Sequence, residues 1–263
     1  MSAATLEPTH TLVGRQNPDW ISAFCILHMA KSQEDVVVGL NTSGFVSVWT
    51  LGGSTQARGE SKVKKILENE SKQIKAYKVK SLTLSPVHPR LMLIVTSDGW
   101  QLNDAGDFSV LCSASTPDGV ASWRSGDFVD KNKVAITAAN DGKTYLYRLP
   151  PTAIPDSGQF RHHLQQPMEV VGSPQEPVLY SILVMPDETK KCVCPAVTVI
   201  DRKGPPKNIL ENSILVVRGD SNGRVSIWKL PVQQDKQIDW VLQFSEELPV
   251  SKLGSVARLI IVL

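Results

Sequence analysis

Four stretches of the chain repeat one alternation of apolar and polar positions. They are VVVGLNTSGFVSVWTL (residues 36–51), LMLIVTSDGWQLND (91–104), VAITAANDGKTYLYRL (134–149) and ILVVRGDSNGRVSIWKL (214–230). Each opens on an apolar, largely β-branched run, as buried strands do. A short polar turn with a glycine follows: Thr42-Ser43-Gly44, Ser97-Asp98-Gly99, Asn140-Asp141-Gly142 and Ser221-Asn222-Gly223. Ser-Gly, Asp-Gly and Asn-Gly suit tight turns, because glycine accepts the positive φ that such turns require. A second run then alternates, with Val225 and Ile227 to one side and Ser226 and Trp228 to the other. The pattern predicts a β-hairpin repeated four times.

An aromatic residue closes three of the four hairpins at one spacing. Trp49 lies five residues after Gly44, Tyr147 five after Gly142 and Trp228 five after Gly223. That spacing is the one at which WD-type repeats end their third strand in a tryptophan. The second unit departs, since Asp104 stands five after Gly99 and its strand must end in another way. Strand-like runs flank the hairpins. Residues 20–27, 81–86 and 178–184 precede the first, second and fourth, and residues 108–112 and 240–244 follow the second and fourth. Four strands per unit make a propeller blade. Residues 63–70 and 161–166 are short helical possibilities on connections.

The turn glycines are 55, 43 and 81 residues apart, against about 40–45 for a regular WD repeat. The long gap must hold an insertion or a further, degenerate blade. Residues 150–177, rich in Pro, Gln and His and without periodicity, fit an insertion. The fold class expected is all-β, a WD-type β-propeller with about four blades visible and closure unaccounted for. Residues 20–250 form this partial propeller, 1–19 are the remnant of a preceding blade or linker, and 251–263 are a tail of uncertain origin. On this reading the chain is a piece of a larger propeller, because an open one leaves strand edges and sheet faces uncovered.

Composition narrows the function classes. The 263 residues are 41% hydrophobic and 21% charged, enough for a sizeable core. A net charge of +2 is too near neutral to predict nucleic-acid binding. The first ten residues lack the apolar core of a secretory signal, and no apolar run approaches the roughly 20 residues of a spanning helix. Four cysteines in a chain of this length do not make a disulfide scaffold, and reduced thiols in the cytosol are expected.

Candidate chemistry is sparse. No GxxxxGK[ST], GxGxxG or GxSxG pattern sits in the required context. Cys192 and Cys194 would point to one side of a strand, and no second ligand pair lies at metal-site spacing. His162 and His163 fall in a polar loop, and His28 and His88 at strand ends. No catalytic residue, cofactor or metal is expected. Residues 62–80 hold seven lysines against Glu68 and Glu70. They read first as a solvated linker between blades, and alternatively as a contact for an acidic partner or anionic membrane through Lys64, Lys65, Lys72 and Lys75. Gly44, Trp49, Gly142, Tyr147, Gly223 and Trp228 are blade-defining structural positions. Trp123 follows a loop; exposed there, it would be a hot-spot candidate for a protein contact.

Several segments resemble the rabconnectin beta subunit family of WD-repeat proteins. They are Pro18-Asp19-Trp20-Ile21-Ser22, Gln33-Glu34-Asp35, Gly126-Asp127-Phe128-Val129, Cys194-Pro195-Ala196-Val197-Thr198 and Gly219-Asp220-Ser221-Asn222-Gly223-Arg224. The most specific is Asp104-Ala105-Gly106-Asp107-Phe108-Ser109-Val110-Leu111-Cys112-Ser113, which is not a generic WD pattern. The likeness runs over about residues 4–230 and corresponds to an internal part of that family's N-terminal propeller. It implies a non-catalytic scaffold acting with the rabconnectin alpha subunit on the vacuolar proton-pumping ATPase and in vesicle trafficking. It also implies a cytoplasmic location, peripheral on vesicle or endosomal membranes through partners. A WD adaptor of an unrelated pathway, such as ubiquitin ligation, keeps the fold and changes the partners. An enzyme on a propeller would need converging acids, histidines or metal ligands, since fold does not fix function.

Overall fold

The structure is a computed structural model that describes residues 10–14, 20–29, 34–51, 64–155, 176–183, 196–201, 213–219, 224–231 and 241–247. Two compact units divide the chain, Met1–Leu82 and Thr83–Leu263.

The first unit is built on the first hairpin. Strands β2 (Ile21–Met29), β3 (Glu34–Asn41), β4 (Phe45–Leu51) and β6 (Glu70–Gln73) form an antiparallel sheet in the order β2-β3-β4-β6. Strands β1 (His10–Val13) and β5 (Lys64–Leu67) form a separate parallel pair. The turn between β3 and β4 works as its composition predicts. Asn41 Oδ1 accepts the N–H groups of Ser43 (3.1 Å) and Phe45 (2.7 Å). Gly44 has φ +81°, and a Cβ there would lie 2.7 Å from the Ile74 carbonyl oxygen. Trp49, Val37 and Ile66 form the core with Leu12 and Leu51. The Trp49 indole donates to the Val13 carbonyl at 3.1 Å, satisfying its one polar group.

Three further four-stranded antiparallel meanders follow, all but residues 79–82 of them in the second unit. The first is β10 (Val110–Ser115)-β9 (Gly99–Asp104)-β8 (Leu91–Thr96)-β7 (Val79–Leu84). The next is β11 (Trp123–Asp130)-β12 (Lys133–Ala138)-β13 (Thr144–Arg148)-β14 (Val178–Leu183). The last is β15 (Ala196–Asp201)-β16 (Ser213–Gly219)-β17 (Arg224–Pro231)-β18 (Val241–Glu247). Consecutive sheets pack face to face. Leu91, Leu93, Val95, Trp100 and Leu102 share one cluster with Trp123, Phe128, Val134, Ile136, Tyr145 and Tyr147. Val129, Ala135, Leu146 and Leu183 share another with Val216 and Trp228. Gly126 is required where β11 crosses β8, because a Cβ there would meet Val95 Cγ2 at 2.7 Å and Leu93 Cδ2 at 3.0 Å.

The irregular second hairpin now has a reason. Its aromatic, Trp100, sits directly after the turn glycine and meets the Tyr147 ring edge-on, with centroids 5.1 Å apart. Asp104 ends β9 by holding the next turn instead. Its buried carboxylate pairs with Arg90 and accepts the Gly106 N–H at 2.8 Å. The Phe108 N–H donates to the Asp104 carbonyl, and Phe108 takes φ +61°.

Three expectations change. Residues 178–184 do not open the fourth blade: β14 pairs with β13 and closes the third, while β15 opens the fourth. The 81-residue gap therefore contains the outer strand of one blade and the inner strand of the next, with no further sheet among the described residues. The described part of the 63–70 stretch, residues 64–70, is not helical. From residue 64 the described residues form β5 and the start of β6, so Glu70–Gln73 supply the fourth strand of the first sheet and residues 74–78 link it to β7. The insertion also begins as packed structure, since Ala153 in the 3-10 turn Pro151–Ala153 is buried in the main cluster. Residues 161–166 and 251–263 lie outside the described residues.

Candidate functional site

The described part of the lysine-rich stretch forms a charged surface whose geometry follows from the turn it packs on. After β6 the chain passes beneath Gly44, where the Ile74 N–H donates to the Gly44 carbonyl at 2.8 Å. The Ala76 N–H donates to the Ile74 carbonyl at 2.9 Å. Ile74, Ala76 and Val79 point inward and are buried. Lys72, Lys75, Lys78 and Lys80 point outward, with Tyr77 among them, and all five are exposed. Lys78 takes φ +53°, which turns the chain between the buried Ala76 and Val79. Lys65 is exposed on β5, whereas for Lys64 only the backbone is described.

Burial sharpens the charge balance. Glu68 is buried and its N–H donates to the Val13 carbonyl at 2.9 Å, while Glu70 is exposed. The exposed part of this stretch is therefore more basic than the sequence count suggests. Such a surface attracts acidic ligands over about one Debye length, roughly 8 Å at physiological salt.

The blade-defining aromatics sit in cores. Trp49, Tyr147 and Trp228 are all buried, each beneath the layer that covers its sheet. Gly142 has φ +65°, as its turn requires, and Gly223 lies outside the described residues. Trp123 must be corrected. It is wholly buried, its ring meeting Tyr145 edge-on at 5.0 Å, and it pairs with Ala138 in the ladder. The loop before it ends at residue 122, so the side chain points into the space between two sheets and offers no face to a partner.

The two described thiols are held in unreactive states. Burial pushes the thiols of Cys25 and Cys112 up to about 12, far from a thiolate at neutral pH. His88 is buried in the turn between β7 and β8, where its backbone N–H donates to Ser85 Oγ at 3.1 Å. Cys192, Cys194, His162 and His163 lie outside the described residues. Among the described residues no group of three or more His, Cys, Asp or Glu is placed to hold a metal ion, and no helix is long and apolar enough to cross a membrane.

Two features escaped sequence reasoning. Asp127, on β11, has a carboxyl that burial raises to about 6, opposed by the Phe128 N–H at 2.8 Å. A lone acid between Gly126 and the apolar pair Phe128-Val129 was the available signal. The second is a run of exposed apolar residues, Trp20 just before β2 and Ile21, Phe24 and Ile26 along it. That run reads as an ordinary blade strand, and sequence does not tell which face of a strand lacks a neighbour.

No protein-family model matches the sequence. WD repeat-containing protein 72 of Mus musculus is 30% identical over 149 residues, 57% of this chain and 13% of that protein. WD repeat-containing protein 72 of Pongo abelii is 26% identical over 236 residues, 88% of this chain and 20% of that protein. Among solved structures, the Myceliophteria thermophila Cps50 (Swd1) β-propeller domain is similar with a TM-score of 0.51 at 13% identity, covering 89% of this chain and 57% of that one. The fold is thus that of WD-type propeller blades. The chain spans between 13% and 20% of the length of these curated relatives.

Proposed function

We propose that this chain is part of a non-catalytic WD-repeat scaffold that binds proteins, and that its lysine-rich outer segment contacts an acidic partner surface. One observation carries the reading. Ile74 and Ala76 pin the segment beside the Gly44 turn and the buried Val79 opens β7, while Lys72, Lys75, Lys78, Lys80 and Tyr77 face solvent. A pinned segment loses little further entropy on binding, and an exposed tyrosine among cations is a common anchor at protein interfaces. The similarity to WD repeat-containing protein 72 supports a scaffold of repeat type.

The finer proposal is a role of the rabconnectin kind. The partners would be the rabconnectin alpha subunit and subunits of the vacuolar proton-pumping ATPase, met at the cytoplasmic face of vesicles or endosomes. The segment Asp104–Ser113 supports it, because its resemblance lies outside the generic repeat and its Asp104 anchors a specific turn.

Affinity purification from membranes tests both levels. A longer polypeptide that contains this sequence serves as the positive control. Recovery of the alpha subunit and pump subunits, lost on reversing the charge of Lys65, Lys72 and Lys75, is the expected result. Recovery that is indifferent to those reversals would remove the lysine segment from the interface. Recovery of other partners alone would leave a WD adaptor of an unrelated pathway.

A further inference from the structure

The first unit's sheet ends on an open strand edge. β6 closes the order β2-β3-β4-β6, and among the described residues no strand pairs with its far side. Its residues Glu70, Ser71, Lys72 and Gln73 are all exposed. The ladder to β4 settles which backbone groups are already used. The register pairs are Phe45–Gln73, Val46–Lys72, Ser47–Ser71 and Val48–Glu70. In antiparallel pairing every second residue exchanges N–H and C=O groups with its partner, and the residues between turn theirs away. The Ile74 N–H donates to the Gly44 carbonyl at 2.8 Å, which makes Lys72 and Glu70 the residues that face β4. Ser71 and Gln73 therefore direct their N–H and C=O groups outward from the sheet.

Charge is arranged along this edge. Lys72 stands between the two outward residues, and Lys75 and Lys78 continue past the end of the strand, all three exposed. Tyr77, 54% exposed, lies between Lys75 and Lys78. One of its ring carbons is 3.4 Å from the place a Gly44 Cβ would take, so the ring is seated on the β3–β4 turn. Glu70, the acid on β6, sits at the other end of the strand. Lysine on an open edge discourages pairing with ordinary strands. The same lysine favours a strand of opposite charge, because opposite charges across a ladder attract and like charges repel.

We propose that β6 is the docking edge for an extended acidic peptide of a partner protein, which pairs its main chain with Ser71 and Gln73 and sets its carboxylates against Lys72 and Lys75. This rests on the lysine segment being a contact for an acidic partner, and it states what that partner presents: a strand, not a folded acidic face. Strand addition draws affinity from main-chain hydrogen bonds and selectivity from the side chains beside the edge. An anionic membrane would use the lysines alone and leave the outward groups of Ser71 and Gln73 without a role. Glu70 gives the site a direction. The peptide's carboxylates lie toward Lys72 and Lys75, and its uncharged residues lie beside Glu70.

Titration of the full chain with synthetic peptides tests it. The probe is an end-capped peptide of about eight residues, long enough for one strand. Threonine and valine fill one half and glutamate alternates with threonine in the other, in both orders along the chain. Binding is read by fluorescence anisotropy. N-methylation of one alternate set of peptide amides keeps the charge and removes the pairing donors, and should weaken binding about tenfold or more, while methylation of the other set should change it less than about twofold. Ser71→Pro removes an outward N–H and no bond to β4, so it should weaken binding similarly at an unchanged thermal midpoint. Should that variant fail to fold, the methylated peptides carry the test. In hydrogen exchange resolved to single residues, the peptide should slow the Ser71 and Gln73 amides. Lys72→Glu with Lys75→Glu probes the underlying charge reading by itself. Binding lost in that variant but kept by Ser71→Pro and by both methylated peptides would leave an acidic partner and overturn strand pairing. Binding indifferent to the charge reversal would sink both readings. A parent chain that ignores the peptide, whether or not it captures phosphatidylserine vesicles, would also overturn the proposal.

Discussion

Replacing Trp123 with alanine separates a core tryptophan from an interaction hot spot. The side chain is wholly buried between the β7–β10 and β11–β14 sheets and meets Tyr145 edge-on at 5.0 Å. Truncating a buried Trp costs about 3–5 kcal/mol, of which the edge contact contributes about 0.5–1.5 kcal/mol. In a unit of this size each kcal/mol moves the midpoint about 2–4 °C, so Trp123→Ala should melt about 6–20 °C lower. Trp123→Phe keeps an aromatic edge and should cost only about 1–2 kcal/mol. Trp20→Ala, at a residue 85% exposed, should stay within about 0.5 kcal/mol of the parent. Scanning calorimetry and urea denaturation read all three. At a temperature where Trp123→Phe is folded, its partner binding should equal the parent's. A midpoint for Trp123→Ala within about 2 °C of the parent, or binding lost in a fully folded Trp123→Phe, would refute the placement of this residue in the core.

Three further outcomes follow from the same geometry. Gly126→Ala places a methyl 2.7 Å from Val95 Cγ2 and 2.8 Å from Ile136 Cδ1; overpacking of this kind should lower stability by about 1–3 kcal/mol, seen as a lower urea midpoint with unchanged slope. Arg90→Ala leaves the Asp104 carboxylate, only 7% exposed, without its cation. Because Arg90 is half exposed, the expected loss is about 1–2 kcal/mol, and Asp104→Asn in the same background should restore part of it in a double-mutant cycle. Asp127 makes stability depend on pH. Its carboxyl sits at about 6 in the folded chain against an ordinary 3.8, so the native state binds the proton more tightly than the unfolded one. Stability therefore falls as pH rises from about 4 to about 6 and then levels, by about 1–3 kcal/mol in all. Asp127→Asn should flatten that slope, and parallel curves for parent and variant between pH 4 and 7 would count against a buried carboxyl.

The charged surface shows where reading by sequence stopped. Seven lysines in residues 62–80 look like a solvated linker because their spacing matches neither strand nor helix period over the whole stretch. The period is broken by a change of role. β5 pairs with β1, which begins 54 residues earlier, β6 pairs with β4, and a short pinned segment then lies under Gly44. Pairings of that kind are set by partners distant in sequence, and local propensity does not report them. The same limit explains Trp123. Its own neighbours, Ser122 and Arg124, suggest a loop edge, and only the arrival of Tyr145 from β13 makes the site a core.

Local chemistry alone determined the hairpins. A polar turn with a glycine between two runs of strand-forming residues has few other conformations open to it, so Gly44 and Gly142 take the positive φ that their turns demand. The aromatic five residues on is likewise a local fact, since strand alternation fixes which side of its sheet it faces. Which sheet then covers that side was decided by tertiary packing. Trp228 and Tyr147 are met by a preceding sheet, Trp49 by a two-stranded pair that stops short of Phe24. Burial depends on surfaces brought together from far along the chain, and apolar residues at the same place in a repeat can end in a core or on an open face.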